Sequence, residues 1–186
     1  MKIVILSGSP RKGGNTSQLV RSFMEGAAAD GHQAQHFDTA AMRIAPCSAC
    51  YYCRGETPRP CRVDDDMTQI IAAIQEAGAL VLATPLYYFG FASQLKTAID
   101  RLFAINSSLK RDEKSTGGVR RMILLAVCGD EDEEAMSGLT ANYRLICSYL
   151  GIENAGEILA TGVNDIGDIT GHAALAAARE LAASLS

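Results

Sequence analysis

Hydrophobic and polar positions along the chain follow two different periods, which indicates strands and helices in turn. Continuous apolar runs at residues 4–6, 79–83 and 122–127 are typical of parallel strands buried on both faces. The segments 32–37 and 157–160 are weaker and more polar, as edge strands can be. The pattern therefore predicts a sheet with three central strands and two edge strands.

Helical periods follow these strands, because apolar residues recur three and four positions apart. The predicted buried faces are Leu19-Val20-Phe23-Met24-Ala27, Met67-Ile70-Ile71-Ile74, Leu95-Ala98-Ile99-Leu102, Met136-Leu139-Tyr143-Ile146-Leu150 and Leu175-Ala178-Leu181-Leu185. Gly151 follows the fourth face, where a helix-ending glycine is expected. Alternating strands and helices predict an α/β, flavodoxin-like three-layer sandwich with a five-stranded parallel sheet of order 2-1-3-4-5. We expect one domain over residues 1–186, with the ligand crevice where strand 1 meets strand 3.

The loop after the first strand has the composition of a phosphate-binding turn. It reads Ser7-Gly8-Ser9-Pro10-Arg11-Lys12-Gly13-Gly14-Asn15-Thr16-Ser17 and leads directly into a helix. Its glycines let the backbone approach a ligand, and the helix N-terminus offers N–H groups to an anion. Short polar side chains add donors at Ser9, Asn15, Thr16 and Ser17, and Arg11 can offset charge. The alternative is an ordinary polar strand-to-helix loop.

Two common phosphate motifs are absent from this turn. A P-loop would need a Gly-Lys pair where the chain has Gly13-Gly14-Asn15. A dinucleotide fingerprint would need a glycine at position 10, which is Pro10. The remaining interpretation is a hydroxyl-rich cradle for a terminal phosphomonoester.

The loop after the third strand is unusually aromatic. It reads Thr84-Pro85-Leu86-Tyr87-Tyr88-Phe89-Gly90-Phe91, whereas aromatic residues make up 6% of the whole chain. The topology places this loop opposite the phosphate cradle, where its rings could stack on a flat heterocycle. The alternative is that these rings only cover the end of the sheet. A phosphate beside a planar ring system indicates a flavin mononucleotide (FMN).

Composition narrows the function classes. The chain has 17 Lys and Arg against 21 Asp and Glu, a net charge of −4, and no basic stripe, which argues against nucleic acid as a partner. We expect no signal peptide and no membrane-spanning segment, and therefore a soluble, cytoplasmic protein. In that compartment thiols stay reduced, so the six cysteines favour metal, redox or core roles over disulfides.

Four of the cysteines form a group with the spacing C-x2-C-x2-C-x7-C, within a stretch at about 40–64 that shows no strong period. These are Cys47, Cys50, Cys53 and Cys61. Thiolates at this spacing could hold a [4Fe–4S] cluster or zinc, and the alternative is that they bind no metal. Cys128 and Cys147 lie in or beside apolar segments, which indicates core or cleft-lining thiols.

Several of these motifs together resemble the NADPH-dependent FMN reductases, and in particular the iron–sulfur flavoprotein branch. The motifs are Gly8-Ser9-Pro10-Arg11-Lys12-Gly13-Gly14-Asn15-Thr16, Pro46-Cys47-x-x-Cys50-x-x-Cys53, Asp65-Asp66-Met67, Pro85-Leu86-Tyr87-Tyr88 and Leu95-Lys96-x-x-x-Asp100-Arg101. The resemblance runs from the first strand to about Arg101. It implies a flavodoxin-like fold, tightly bound FMN, and association as a homodimer or homotetramer.

The resemblance also implies roles for individual residues. Phosphate binding would fall to Ser9, Arg11, Asn15, Thr16 and Ser17. The ribityl chain and the ring would meet Pro85, Leu86, Tyr87, Tyr88 and Phe89, and Gly129 would approach the ring from the other side. The cluster ligands would be the four cysteines of the group.

The function that follows is an FMN-dependent oxidoreductase that accepts hydride from NAD(P)H and passes electrons to an unidentified acceptor. The alternatives are an electron-transfer iron–sulfur flavoprotein without direct nicotinamide use and a non-redox phosphate-binding module with structural zinc. We expect no catalytic side chain, because the cofactor carries the chemistry.

Two polar segments have simpler interpretations. Asp64-Asp65-Asp66 precedes the second helix, where acidic residues suit the helix dipole and one can cap. The segment 106–118, which contains Lys110, Arg111 and Lys114, is expected to be a mobile loop with solvated charges.

Overall fold

The structure is a computed structural model that describes residues 1–55, 59–105 and 118–185. The strands are β1 (Lys2–Ser7), β2 (Gln33–Asp38), β3 (Ala79–Tyr87), β4 (Gly90–Phe91), β5 (Arg121–Val127) and β6 (Glu153–Ala160). The α-helices are α1 (Asn15–Ala29), α2 (Met67–Glu76), α3 (Ser93–Arg101), α4 (Ser137–Leu150) and α5 (Ala173–Ala183). Short 3-10 turns cover Tyr52–Arg54 and Glu133–Met136. The predicted loop 106–118 lies outside the described residues except for Gly118.

The five long strands form a parallel sheet of order β2-β1-β3-β5-β6. This is the predicted order, and the two polar strands β2 and β6 do lie at the edges. The predicted strand at 79–83 is too short, because β3 continues to Tyr87 and pairs there with the antiparallel β4. The prediction of 157–160 is also too short, since the polar residues from Glu153 onward pair with β5.

Alternate residues of the central strands pack into two separate cores, as the pleat of a strand requires. On one face, Val4, Leu80 and Leu124 pack with the apolar faces of α2, α3 and α4. On the other face, Ile3, Val81 and Ile123 pack with α1 and α5. The result is the predicted three-layer sandwich, whose strands read as continuous apolar runs because both faces are covered.

Two glycines fix how the helices pack and end. A Cβ at Gly26 of α1 would clash with the Arg179 carbonyl oxygen, so the absence of a side chain at Gly26 lets α5 lie against α1. Gly151 ends α4 in the left-handed conformation, with φ of 68°, as the sequence predicted.

Candidate functional site

The loop between β1 and α1 lies at the carboxyl edge of the sheet. Its first residue is tied to β3 by a hydrogen bond of 3.0 Å from Gly8 N to Ala83 O. A Cβ at Gly8 would lie 2.5 Å from Leu95 Cβ, so only glycine allows the loop to approach α3 this closely. The helix α1 begins after Gly14, which offers no capping side chain. The N–H groups of its first turn are therefore available to an anion.

Thr16 is the residue of this loop that indicates a missing partner. The residue is 1% exposed, and its hydroxyl Oγ1 is buried without a hydrogen-bond partner among the described residues. A buried hydroxyl in that state costs free energy unless a ligand satisfies it. An unpaired donor in the first turn of a helix fits an anionic oxygen, so the residues present fit a phosphate group.

Asn15 and Arg11 point to a part of the chain that the sequence did not connect to this site. Asn15 Nδ2 donates to Asp165 O at 2.9 Å, and Arg11 Nη1 donates to Asn164 O at 2.6 Å. These acceptors lie between β6 and α5, about 150 positions further along the chain. The segment 161–171 thus crosses the phosphate loop.

The aromatic loop after β3 is a tight hairpin. Tyr87 pairs with Gly90, which leaves Tyr88 and Phe89 as the two central residues, with φ of 46° and 60°. The Tyr88 side chain is fully exposed, and Phe89 is 67% exposed. Left-handed conformations are costly for aromatic residues, and such strain is concentrated at functional sites. The buried Thr84 hydroxyl accepts from Ala92 N at 3.0 Å and so holds the far end of the hairpin.

A cavity of about 90 Å³ lies between the phosphate loop, the hairpin, the loop after β5 and the segment 161–171. Most of the predicted flavin residues line it, namely Ser9, Arg11, Asn15, Thr16, Pro85, Leu86, Tyr87 and Gly129. The other lining residues are Val127, Cys128, Val163, Asn164 and Ile166. Three predicted flavin residues, Ser17, Tyr88 and Phe89, are not part of this lining.

Cys128 lines this cavity as a buried thiol, and Cys147 is buried in the core, as the sequence predicted. Burial raises the pKa of both thiols above the ordinary value, which keeps them protonated near neutral pH. Neither thiol is poised as a nucleophile.

The cysteine group lies elsewhere, around a larger cavity of about 410 Å³. Cys47, Cys50, Cys53 and Cys61 all line it, with apolar surface from Tyr51, Tyr52 and Phe103. Cys47 and Cys50 are exposed, and the other two are half-buried. The donor set suits a metal chemically, but within the described residues no three potential ligands are close enough to hold an ion. Metal binding would therefore require the sulfur atoms to move closer together.

A buried cation lies against this cavity. The Arg101 side chain is 1% exposed, and its Nη1 donates to Asp65 Oδ2 at 2.5 Å and to Ala45 O at 3.1 Å. Its Nη2 donates to Cys61 Sγ at 3.4 Å. Burial alone would lower the pKa of Arg101, but the hydrogen bonds to Asp65 and Cys61 outweigh burial and raise it. Arg101 thus links α3 to Ala45, which precedes the cysteine group, and to Cys61 and Asp65 at and just beyond its end.

Asp65 has two roles, of which the sequence predicted one. Its Oδ1 accepts from Met67 N at 3.1 Å, which is the expected capping of α2. Its Oδ2 accepts from Arg101 and from Ala45 N at 2.8 Å. Burial alone would raise the pKa of Asp65, but these hydrogen bonds outweigh it and hold the pKa below the ordinary value.

A profile of the NADPH-dependent FMN reductases matches residues 1–152, which is most of the chain. This chain belongs to the NADPH-dependent FMN reductase family. The resemblance seen in the motifs is therefore confirmed, and the family is one of flavin oxidoreductases.

Individual relatives agree with the family assignment. An iron–sulfur flavoprotein of Methanocaldococcus jannaschii is 33% identical over 64% of this chain and 61% of its own length. The Bacillus subtilis protein YwqN, whose name assigns it to the NAD(P)H-dependent FMN-containing oxidoreductases, is 33% identical over 97% of this chain and 96% of its own. The present chain thus matches YwqN along almost the whole length of both proteins. It spans less than two thirds of the length of the archaeal flavoprotein.

A solved structure confirms the fold. The NAD(P)H:quinone oxidoreductase of Methanothermobacter marburgensis superposes with a TM-score of 0.76 over 100% of this chain and 96% of its own, at 20% identity. At this identity the likeness concerns the flavodoxin-like fold alone. In the chain itself, no helix among the described residues has the length and the apolar character that a membrane span requires.

Proposed function

We propose that this protein is an FMN-dependent oxidoreductase that accepts hydride from NAD(P)H and passes the electrons to a separate acceptor. The observation that carries the proposal is the unpaired, buried Thr16 hydroxyl in the first turn of α1, within a cavity lined by most of the predicted flavin residues. Family membership supports it independently.

The phosphate end of FMN would be held by the phosphate loop. The N–H groups at the start of α1 and the Thr16 hydroxyl supply donors, and the helix dipole favours the negative charge. Arg11 donates one N–H to Asn164 O. Because a guanidinium has five N–H donors, Arg11 can also bind the phosphate and offset its charge. Ser9 Oγ already accepts from Arg11 N at 3.3 Å, and its own hydroxyl hydrogen can point to the ligand.

The ring end would lie toward the hairpin. A cavity of about 90 Å³ is too small to enclose a mononucleotide, which indicates that it takes one part of the ligand. Tyr88 and Phe89 follow the lining residue Tyr87 in the hairpin, and their exposed rings offer apolar faces to a flat heterocycle. When bound, FMN would supply the hydride and electron chemistry, and the protein supplies position and partial exclusion of water. An open rim also leaves room for a nicotinamide.

The test is an anaerobic titration of the purified protein with NADPH, and separately with NADH, followed in the visible range. We expect a flavin spectrum that bleaches on addition of NADPH or NADH and returns on addition of a quinone. A quinone is the first acceptor to assay, because one relative, at 32% identity over 66% of this chain, is named an FMN-dependent NADH:quinone oxidoreductase. A flavin spectrum that neither nucleotide bleaches would contradict direct nicotinamide use.

A second candidate is an electron-transfer iron–sulfur flavoprotein. The specific observation in its favour is that four cysteines line one cavity, with the buried Arg101 donating to one of the sulfurs. Several relatives are named iron–sulfur flavoproteins. Cys47, Cys50, Cys53 and Cys61 would be the ligands of a [4Fe–4S] cluster, which could exchange single electrons.

Iron and acid-labile sulfide, measured after anaerobic purification, test this second candidate. We expect Cys50→Ser to lower both, whereas Cys147→Ser, which removes a buried thiol far along the chain, should leave both unchanged. Equal iron content in the two variants, or zinc in place of iron, would exclude the cluster. The FMN content of both variants should match that of the unmodified protein.

We also propose that the protein forms a homodimer or homotetramer. The aromatic side chains at the hairpin tip are largely exposed, and a second subunit could cover them. Sedimentation velocity tests this directly, and a monomer at micromolar concentration would contradict it.

A further inference from the structure

The segment 161–171 between β6 and α5, here called the strap, has an unusual anchor. Asn15 at the start of α1 donates from Nδ2 to Asp165 O at 2.9 Å. Its Oδ1 accepts from Gly167 N at 3.1 Å and from Ile169 N at 3.5 Å. Asn15 is 7% exposed, and the hydrogen bonds of its carboxamide run almost entirely to the strap.

This use of Asn15 differs from the role that the family resemblance implies. The side-chain amide oxygen already accepts two hydrogen bonds. A flip of the amide that exchanged the oxygen and the nitrogen would therefore break both of these hydrogen bonds. Only one N–H of Asn15 remains for any ligand. Thr16, the next residue, is the opposite case, because its buried hydroxyl has no partner among the described residues.

The strap is also built to keep its shape. Asp168 Oδ2 accepts from Asn164 N at 3.0 Å and from Asp165 N at 2.7 Å, which closes a compact turn. On the side that faces the phosphate loop, Arg11 Nη1 donates a further hydrogen bond to Asn164 O. The strap is therefore fixed to the phosphate loop at two residues and braced internally.

The other side of the strap reaches the loop after β5. A Cβ at Gly129 would lie 3.1 Å from Asn164 Oδ1, so the Asn164 side chain packs closely against the Gly129 backbone. Asn164 and Ile166 line the same cavity as Tyr87 and Gly129, and the Ile166 side chain is 62% exposed beside it. An exposed isoleucine at the mouth of a polar cavity offers apolar contact to a ligand that lies there.

We propose that the strap is a wall of the flavin site and that Asn15 is its positioning residue rather than a phosphate ligand. The inference rests on the proposed function, because it requires that the cavity take a flavin. It assigns a binding role to Asn164 and Ile166, which the sequence alone did not connect to the site.

Two ligands separate a wall from a phosphate contact. FMN and riboflavin share the ring and the ribityl chain and differ in the phosphate. A residue that binds phosphate therefore contributes to FMN affinity alone, whereas a wall beside the ribityl chain and the ring contributes to both.

The experiment is titration of flavin-free protein with FMN and with riboflavin, followed by flavin fluorescence. For Asn15→Ala we expect both affinities to fall by about tenfold, with their ratio unchanged, as loss of a hydrogen-bonded support predicts. For Thr16→Val we expect FMN affinity to fall by about tenfold or more and riboflavin affinity to stay the same. Ile166→Ala, at an exposed position that should not affect folding, should weaken both ligands by about threefold.

The outcomes are distinct. If Asn15→Ala lowers FMN affinity alone, then Asn15 is a phosphate ligand and the inference is wrong. If Asn15→Ala and Ile166→Ala leave both affinities unchanged, the strap is no wall of the site. Unmodified protein that binds neither flavin overturns the proposed function itself, and this inference with it.

Discussion

At the level of single residues, replacement of Thr16 should affect ligand binding without lowering the stability of the flavin-free protein. The hydroxyl is buried and unpaired among the described residues, so its replacement by a methyl group removes no hydrogen bond. For flavin-free protein we expect Thr16→Val to leave the free energy of unfolding unchanged or to raise it by about 1 kcal/mol. Urea unfolding of the two apoproteins measures this. A loss of more than about 1 kcal/mol would mean that the hydroxyl has a partner in the protein.

The buried pair of Asp65 and Arg101 gives a second prediction at this scale. Removal of one member leaves the other charge buried without compensation, which typically costs about 3 kcal/mol. We therefore expect Asp65→Asn to lower the free energy of unfolding by about that amount at pH 7. Glu76→Gln is the matched control, because Glu76 also pairs with a cation, Lys2, but at an exposed position where the pair should contribute little.

The effect of Asp65→Asn should depend on pH. The pKa of Asp65 in the folded protein lies below its ordinary value of 3.8, so the ionised carboxylate stabilises the fold fully above about pH 4. That contribution is lost as the pH falls through the folded pKa. Urea unfolding at pH 7 and at pH 3 should therefore show a smaller difference between the two proteins at pH 3. A difference that stays constant would mean that folding does not lower the pKa of Asp65.

These residues also show what sequence reasoning could reach. The position of Asp65 before a helical period predicts a cap, because capping depends on neighbours in the chain. Its pairing with Arg101 could not be derived, since the two residues are 36 positions apart and meet only in the folded protein. Arg101 belongs to the motif Leu95-Lys96-x-x-x-Asp100-Arg101, which carries no sequence signal for a partner of the guanidinium.

At the level of elements, the β3–β4 hairpin stores strain at an exposed aromatic tip. Tyr88 occupies the first central position of a two-residue turn with φ of 46°, where asparagine or glycine is preferred. Within one subunit the exposed Tyr88 side chain has no packing to lose, so we expect Tyr88→Asn to raise the free energy of unfolding of the monomeric apoprotein by about 1 kcal/mol. Thermal unfolding of the apoprotein measures the gain.

The same substitution should weaken function if the strain serves the flavin. We expect Tyr88→Asn to lower the rate of flavin reduction by NADPH while the protein becomes more stable. Lys96→Gln on the exposed face of α3 is a control with no expected effect on reduction. A stabilised variant with an unchanged rate would show that the tip does not take part.

The elements themselves were largely predictable. Buried parallel strands and amphipathic helices follow from local periodicity, which is why the central strands and the helix faces are correct. The hairpin was not predicted, because an aromatic pair in left-handed conformation contradicts ordinary turn chemistry. The site here departs from the local rules, as functional positions often do.

At the level of the whole molecule, strand order follows from the alternation of strands and helices, and it is confirmed. The strap is the part that could not be predicted. Its contacts join Asn15 to residues 165–169, and neither segment carries a sequence signal for the other. The cavity therefore contains Val163, Asn164 and Ile166, although the motifs that carry the family resemblance end at Arg101.

The flavin content of the protein tests the central claim most directly. The chain should be purified, or its apoprotein mixed with excess FMN and desalted, and the chromophore released by denaturation should be quantified. We predict a yellow protein with about one FMN per chain, as expected for a single cradle at one sheet edge. Colourless protein that retains no FMN after mixing would contradict the account.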